Sequence, residues 1–360
     1  LLSEVPQNIR KKLNLRRKDL GIDLICETKE GEYWAIQAKY RKAPEGCVPY
    51  GDLSTFATQT AAVGRGITRG IICTTKIEKT LDFEGANFDF RQILLDRWKS
   101  LGDEFWAAVR QAAKGRPVKK LKPHKPRPYQ KPAIKAAKKH FIAEGKHRGK
   151  LIMACGTGKS LIGYWTAVDA LSAKTVLIAV PSLDLIRQTY EVWAREVVAR
   201  GQTIDVLIVC SDSSTAKGGD DTDIDVGDLQ AEVTTDPGRI KSWLRNPTSN
   251  PDLRIVFVTY QSGRVLAKAT GSFSFDVGLF DEAHKTAGYQ GKRNQHLLYQ
   301  KNIKVRKRVF MTGTERYYHG DADEIVGMND TRLYGHRYHY LSFGQAIKDG
   351  VLADYEVVLF

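Results

Sequence analysis

The period of hydrophobic and polar positions changes several times along this chain, and each change predicts a different element. Apolar and polar residues alternate through 19–40, a hairpin pattern: Gly21-Ile22-Asp23-Leu24-Ile25-Cys26 is one strand, Tyr33 to Tyr40 the next, and Lys29-Glu30-Gly31-Glu32 the turn. Residues 52–63 carry a helical pattern, and Gly70-Ile71-Ile72-Cys73-Thr74-Thr75 reads as a buried strand. Ile93, Leu94, Trp98, Phe105, Trp106 and Val109 recur at helical spacing and predict helix over 91–113. From Gly115 to Pro128 the period disappears into Lys, Arg and Pro, which predicts an extended linker. Beyond it, strands at 150–154, 175–180, 204–209, 254–259, 276–281 and 307–312 alternate with helices such as 160–171 and 183–199. That alternation predicts a parallel sheet covered by helices, so the fold class is α/β with a boundary near 115–128.

Composition narrows the partners. The chain has 360 residues, 42% of them hydrophobic, enough for two or three cored domains. A formal net charge of +15 favours a polyanion, without separating nucleic acid from an anionic membrane. No apolar run approaches the roughly 20 residues of a membrane span. The five cysteines form no CxxC pair, which argues against a zinc site and suits a reducing cytoplasm. The polar stretch from Ser211 to Pro237 holds Asp220, Asp221, Asp223 and Asp225, but lacks the glycine and terminal Glu of a calcium loop. It reads as a surface loop. A chain that opens Leu1-Leu2 and stops inside Val357-Val358-Leu359-Phe360 reads as a piece of a longer one.

Met153-Ala154-Cys155-Gly156-Thr157-Gly158-Lys159-Ser160 lies between a strand and a helix start. Gly156, Thr157 and Gly158 let backbone N–H groups turn inward around a polyphosphate, Lys159 reaches the terminal phosphates, and the Ser160 hydroxyl suits Mg²⁺. Phe280-Asp281-Glu282-Ala283-His284 closes an apolar strand. Asp281 there can hold Mg²⁺ through water, and Glu282 can orient and deprotonate an attacking water, so ATP and Mg²⁺ are the expected ligands. Either string alone also suits a charged helix face or a simple turn. Together, and followed by Val180-Pro181-Ser182-Leu183, Val258-Thr259-Tyr260-Gln261-Ser262 and Phe310-Met311-Thr312-Gly313-Thr314 at strand ends, they do not.

This ordered set, with Arg127-Pro128-Tyr129-Gln130 upstream, resembles the first RecA-like domain of superfamily 2 helicases and translocases over roughly 125 to 350. The resemblance implies that Gln130 reads adenine, that Pro181, Ser182, Thr259 and Tyr260 lie on the nucleic-acid side, and that His284, Thr312 and Thr314 couple hydrolysis to movement. It also implies that an arginine from a second RecA-like domain completes the ATP site, so these residues alone should hydrolyse ATP slowly. Met153 replaces the first Gly of the phosphate-loop pattern, and Gly313 stands where Ala is usual.

The hairpin carries other chemistry. Gln37 and Lys39 share one strand face, and Asp23 can meet them across the hairpin. An acid and an amide oxygen can hold a hard divalent metal, and a neighbouring lysine can position the hydroxide that attacks a phosphodiester. A polar hairpin with a surface Asp and Lys also fits this short string. Gly21-Ile22-Asp23 and Ile36-Gln37-Ala38-Lys39 resemble the Mrr-like branch of the PD-(D/E)xK nucleases, in which Gln replaces the second acid. Glu4 would be the further acid of that branch, and Thr74 and Thr75 end the following strand as they do there.

The whole order resembles the N-terminal part of single-chain Type ISP restriction-modification enzymes. Phe280 to Gly288 and Ser342-Phe343-Gly344-Gln345-Ala346-Ile347 match as well. The resemblance implies a mixed-sheet nuclease domain at 1–114, a basic Pro-rich linker at 115–128, a parallel-sheet ATPase domain at 129–350 and the start of a second RecA-like domain at 351–360. It implies double-stranded DNA as partner, with a methyltransferase and a target-recognition domain later in the same chain. A repair or phage-defence helicase whose N-terminal domain only binds DNA, or an RNA-directed helicase, shares many of these motifs. The linker cations Lys119, Lys120, Lys122, Lys125 and Arg127 suit either DNA phosphates or a solvated tether.

Overall fold

Two units divide the chain, Leu1–Lys119 and Lys120–Phe360, in a computed structural model that describes residues 5–15, 21–28, 31–83, 87–115, 121–210, 232–247, 251–291, 293–318 and 325–354. Glu4, Lys119, Lys120, part of the 29–32 turn and residues 211–231 of the acidic stretch lie outside the described residues.

In the first unit, α1 (Gln7–Lys12) precedes a four-stranded sheet of β1 (Leu24–Glu27), β2 (Tyr33–Lys39), β3 (Ile67–Thr74) and β4 (Phe90–Ile93), in that order. β1 pairs antiparallel with β2, while β2–β3 and β3–β4 are parallel, so the sheet is mixed. The parallel step needs a crossover; α2 (Ser54–Ala57) and the π turn Thr58–Val63 stand between β2 and β3. Tyr33, Ala35 and Gln37 alternate as buried positions along β2, and Tyr33 and Ala35 share a core with Leu53, Phe56 and Ile72. The helix predicted over 91–113 is corrected. Its first residues are β4, held to β3 because Phe90 packs on Phe56, Phe83 and Phe88. The rest is two helices, α3 (Leu95–Ser100) and α4 (Asp103–Ala113), separated at Leu101-Gly102.

The second unit carries β5 (Arg148–Met153), β6 (Thr175–Val180), β7 (Ile204–Val209), β8 (Glu232–Val233), β9 (Leu253–Thr259), β10 (Ser274–Phe280), β11 (Gly288–Tyr289), β12 (Lys304–Thr312), β13 (Ile325–Val326) and β14 (His336–Leu341). Eight of them form one sheet in the order β14-β5-β12-β10-β6-β9-β7-β8, and every pairing in it is parallel. β11 and β13 make a separate antiparallel pair. The covering helices are α5 (Lys131–Lys138), α6 (Lys159–Tyr164), α7 (Leu183–Ala199), α8 (Pro237–Arg245), α9 (Gly263–Thr270), α10 (Thr331–Tyr334) and α11 (Phe343–Lys348).

Continuous apolar runs make these central strands because both sheet faces are covered. Alternation still sorts the side chains: Val176, Ile178 and Val180 enter one core with Trp165 and Trp193, whereas Leu177 and Ala179 enter the other with Phe280 and Phe310. Val351 and Leu352, expected to open a further domain, pack against the first of these cores, and residues 355–360 lie outside the described residues. No helix of the described residues is long and apolar enough to cross a membrane. The strand order matters most for the site. β5, β12 and β10 are neighbours, so the loops after their carboxyl ends emerge side by side, where open parallel sheets bind ligands.

Candidate functional site

The loop after β5 turns twice through glycines in the left-handed region, Gly156 at φ +80° and Gly158 at φ +78°, and enters α6 with Lys159 as its first residue. The Thr157 hydroxyl donates to Ala154 O at 2.7 Å and closes the turn. Lys159 is buried, and its Nζ lies 3.9 Å from Cys155 Sγ. Trp193 of α7 donates to Ser160 O at 3.1 Å and braces the helix start. A loop turned by two left-handed glycines, a helix start and a buried lysine are the parts from which a polyphosphate cradle can be built.

Asp281 follows β10. Its N–H donates to Ala179 O at 2.9 Å, and its Oδ1 accepts from Glu282 N–H at 2.9 Å. Burial, reinforced by the charge of Glu282, pushes the Asp281 carboxyl up to about 6, while Lys159 pulls it back. A divalent cation beside it would relieve that cost, which is the behaviour of a metal-holding acid. Glu282 sits at φ +47°, ψ +44°, a left-handed conformation uncommon for a residue with a side chain and frequent at reacting sites.

His284 Nδ1 is 2.9 Å from Thr312 Oγ1 and 3.2 Å from Glu282 Oε2. The Thr312 hydroxyl donates to Thr314 O at 2.9 Å, so its oxygen accepts and the His284 Nδ1 carries the hydrogen. Burial lowers the His284 pKa; Glu282 opposes that, and Arg316, Lys285 and Lys159 add to it. A neutral imidazole therefore ties Glu282 to the end of β12. The third motif also approaches the phosphate loop. A Cβ at Gly313 would lie 3.3 Å from Cys155 Sγ, so the glycine found in place of alanine makes room for that cysteine.

Gln130, expected to read adenine, is buried and clamps the phosphate loop: Nε2 donates to Thr157 O at 3.0 Å and Oε1 accepts from Arg127 N–H at 2.9 Å. One amide N–H and one lone pair remain for a base. The tyrosine beside it, Tyr129, reaches the same Thr157 O at 3.3 Å, a contact the sequence motif did not single out.

Two residues expected on the nucleic-acid side have their side chains turned inward. Tyr260 is buried, with its phenol donating to Asp281 O at 2.7 Å, and buried Thr259 donates to Ser262 Oγ at 3.1 Å. The Tyr260 ring thus supports the Asp281 turn from within. Pro181 and Ser182 are half-buried at the end of β6, where Ser182 Oγ caps α7 through Leu185 N–H at 3.4 Å.

In the first unit Asp23 lies just before β1, where Leu24 pairs with Ile36. Its N–H donates to Ile36 O at 2.9 Å, and its carboxylate accepts from Ala38 N–H at 2.6 Å. It is thus fixed on both sides of Gln37. The Gln37 Oε1 is buried without a hydrogen-bond partner, a state that costs about 1–3 kcal/mol unless something satisfies it. A hard cation held by Gln37 and Asp23 would do so, and the chemistry of the donor set suits it. Lys39 follows on the same strand face, half-buried. Among the described residues no three His, Cys, Asp or Glu side chains are grouped to hold a metal, so the fit rests on one acid and one amide. Thr75 Oγ1 accepts from Arg41 N–H at 2.7 Å and donates to Arg41 O at 2.8 Å, which closes the end of the β2–β3 pair.

Residues 123–316, more than half of the chain, match the family described as "Type III restriction enzyme, res subunit". The chain belongs to that family. Residues 2–93 match a second family, described as "Restriction endonuclease". Among solved structures, "ATP-dependent Type ISP restriction-modification enzyme LlaBIII bound to DNA" matches 99% of this chain at 27% identity with a TM-score of 0.73. A nuclease-deletion mutant of the Type ISP enzyme LlaGI, in complex with a DNA substrate mimic, matches 63% at 29% identity with a TM-score of 0.50. The chain spans 23% of the LlaBIII chain and 21% of the LlaGI chain. No curated relative matches by sequence. The res-subunit match covers both the phosphate loop and the Asp281 turn, and the endonuclease match covers Asp23, Gln37 and Lys39. The Type ISP resemblance expected from the motif order is therefore borne out, as is the pairing of a mixed-sheet with a parallel-sheet α/β unit.

Proposed function

We propose that this chain is the DNA-cleaving and ATP-binding portion of an ATP-driven DNA translocase coupled to an endonuclease, acting on duplex DNA in the cytoplasm. The observation that carries the reading is the adjacency of β5, β12 and β10, which gathers Lys159, Glu282, His284 and Thr312 around one cleft while Asp23 and Gln37 stand on a separate sheet. ATP is the substrate of the first site. Loop N–H groups and Lys159 would hold its phosphates, Ser160 and Asp281 would hold Mg²⁺, which when bound offsets phosphate charge, and Glu282 would orient and deprotonate the attacking water. His284 passes the state of Glu282 to Thr312 and Thr314.

At the second site Asp23 and Gln37 would hold a divalent ion, most simply Mg²⁺, which when bound offsets charge on the scissile phosphate. Lys39 holds the attacking oxygen beside that phosphate. We divide the roles at 1–114 for cleavage and 129–350 for ATP, with a methyltransferase and target recognition supplied elsewhere in the full-length protein.

The test is a pair of full-length variants. Glu282→Gln should bind ATP and lose hydrolysis, and Asp23→Ala should lose cleavage and keep DNA-stimulated hydrolysis. Loss of both activities in Asp23→Ala would point to misfolding and is checked by its melting curve. Stimulation of ATPase by RNA rather than duplex DNA would overturn the choice of partner.

A further inference from the structure

Residues 121–138 contain no acidic residue and carry Lys122, Lys125, Arg127, Lys131, Lys135 and Lys138, all exposed. Among the described residues none of these six is paired with a carboxylate, whereas some other exposed cations of the same unit are: Lys139 with Glu144 at 3.9 Å, Arg306 with Asp276 at 3.4 Å and Arg332 with Asp330 at 3.1 Å.

Two features distinguish this stretch from a solvated tether. Each strap cation is followed by proline, in Lys122-Pro123, Lys125-Pro126 and Arg127-Pro128, and a residue before proline is held extended. The strap is also anchored. Glu196, fully buried in α7, accepts the His124 N–H at 2.9 and 3.2 Å through its two oxygens and bonds the His124 ring as well. Three residues on, Gln130 Oε1 takes the Arg127 N–H. A freely moving leash needs no buried acceptor at its middle.

We propose that the strap 121–128 and the exposed face of α5 form an ordered phosphate track for duplex DNA, outside the ATP cleft. At about 3.1 Å per residue in an extended proline-rich strap, Lys122, Lys125 and Arg127 are spaced by about 9 and 6 Å. On α5, Lys131, Lys135 and Lys138 follow at about 6 and 4.5 Å along one helix face. Phosphates recur every 3.4 Å of axis on each strand, so cations at these intervals lie about one to three phosphates apart and can follow the backbone without reading sequence. Fixing the strap backbone beforehand removes the chain-ordering entropy that a free tether would lose on binding. The proposal rests on duplex DNA being the partner of the motor.

The experiment uses the full-length protein and a long duplex without a recognition site. Affinity is measured across a salt series for the wild type, for Lys131→Gln/Lys135→Gln/Lys138→Gln and for Lys122→Gln/Lys125→Gln. Each lost phosphate contact flattens the slope of log K against log salt by about 0.9. The helix variant should therefore lose about 2–3 from the slope and the strap variant about 1–2, with maximal ATPase at saturating DNA unchanged. Wild-type slopes in both variants would overturn the track and leave the motor reading standing. A wild type that binds no duplex would overturn both. Loss of binding to anionic lipid vesicles with an unchanged DNA slope would assign the face to a membrane instead.

Discussion

At Gln37 a single oxygen separates a structural residue from a metal ligand. A packing amide would have both ends bonded, yet Oε1 is buried and unpartnered. Replacing it with the unbranched, apolar Met removes the orphan. Gln37→Met should leave the metal-free protein at least as stable as the wild type, by up to about 1–3 kcal/mol, while abolishing cleavage. Marked destabilisation in a chemical-denaturation curve would instead make Gln37 a structural residue.

Asp281 gives a pH signature at the same scale. Its folded pKa is raised to about 6 against an ordinary 3.8, mainly by burial. Below about 4 the carboxyl is protonated folded or unfolded and costs nothing. As pH rises from about 4 to about 6 the unfolded state ionises first, so stability falls by about 3 kcal/mol and stays lower above that. Asp281→Asn should erase this slope in metal-free, nucleotide-free protein. An unchanged pH–stability profile would mean that the buried carboxyl is not under this strain.

The elements were largely legible, and the misses have physical causes. The central strands of the second unit are long apolar runs, so their positions could be read within three residues. β14 was missed because its sequence, His336 to Leu341, is mostly polar and only Leu341 is buried. β4 was hidden inside a helical period that only the Phe90 contacts break. Of the candidate site, the phosphate loop and Asp281 turn were readable because each motif sits at a strand end. The burial of the Tyr260 ring was not readable, because its position in a motif says nothing about which way the ring turns.

Glu196 was missed altogether, although a charged residue within the buried stripe Ile186, Thr189, Trp193 and Val197 was a usable signal. Its role predicts that Glu196→Ala removes the protection of the His124 amide from hydrogen exchange and costs about 1–3 kcal/mol by leaving that N–H without its acceptor. Unchanged exchange at His124 would show the strap to be held by other means.

Across the whole molecule, the proposed function sets two chemistries of different demands on two sheets. Hydrolysis of ATP needs a cleft where three strand ends converge; cleavage needs an acid and an amide at the end of a hairpin. Their separation makes the activities separable by mutation. With one Asp23–Gln37 pair per chain, each molecule should nick one strand, and a double-strand break should need two molecules meeting on the same DNA. The most direct test of the account is the cleavage of long DNA by the full-length enzyme, with ATP turnover followed in the same reaction for wild type, Asp23→Ala and Lys159→Ala. The account predicts that Asp23→Ala turns over ATP at the wild-type rate without cutting, and that Lys159→Ala does neither. Cutting by Asp23→Ala at the wild-type rate would contradict it.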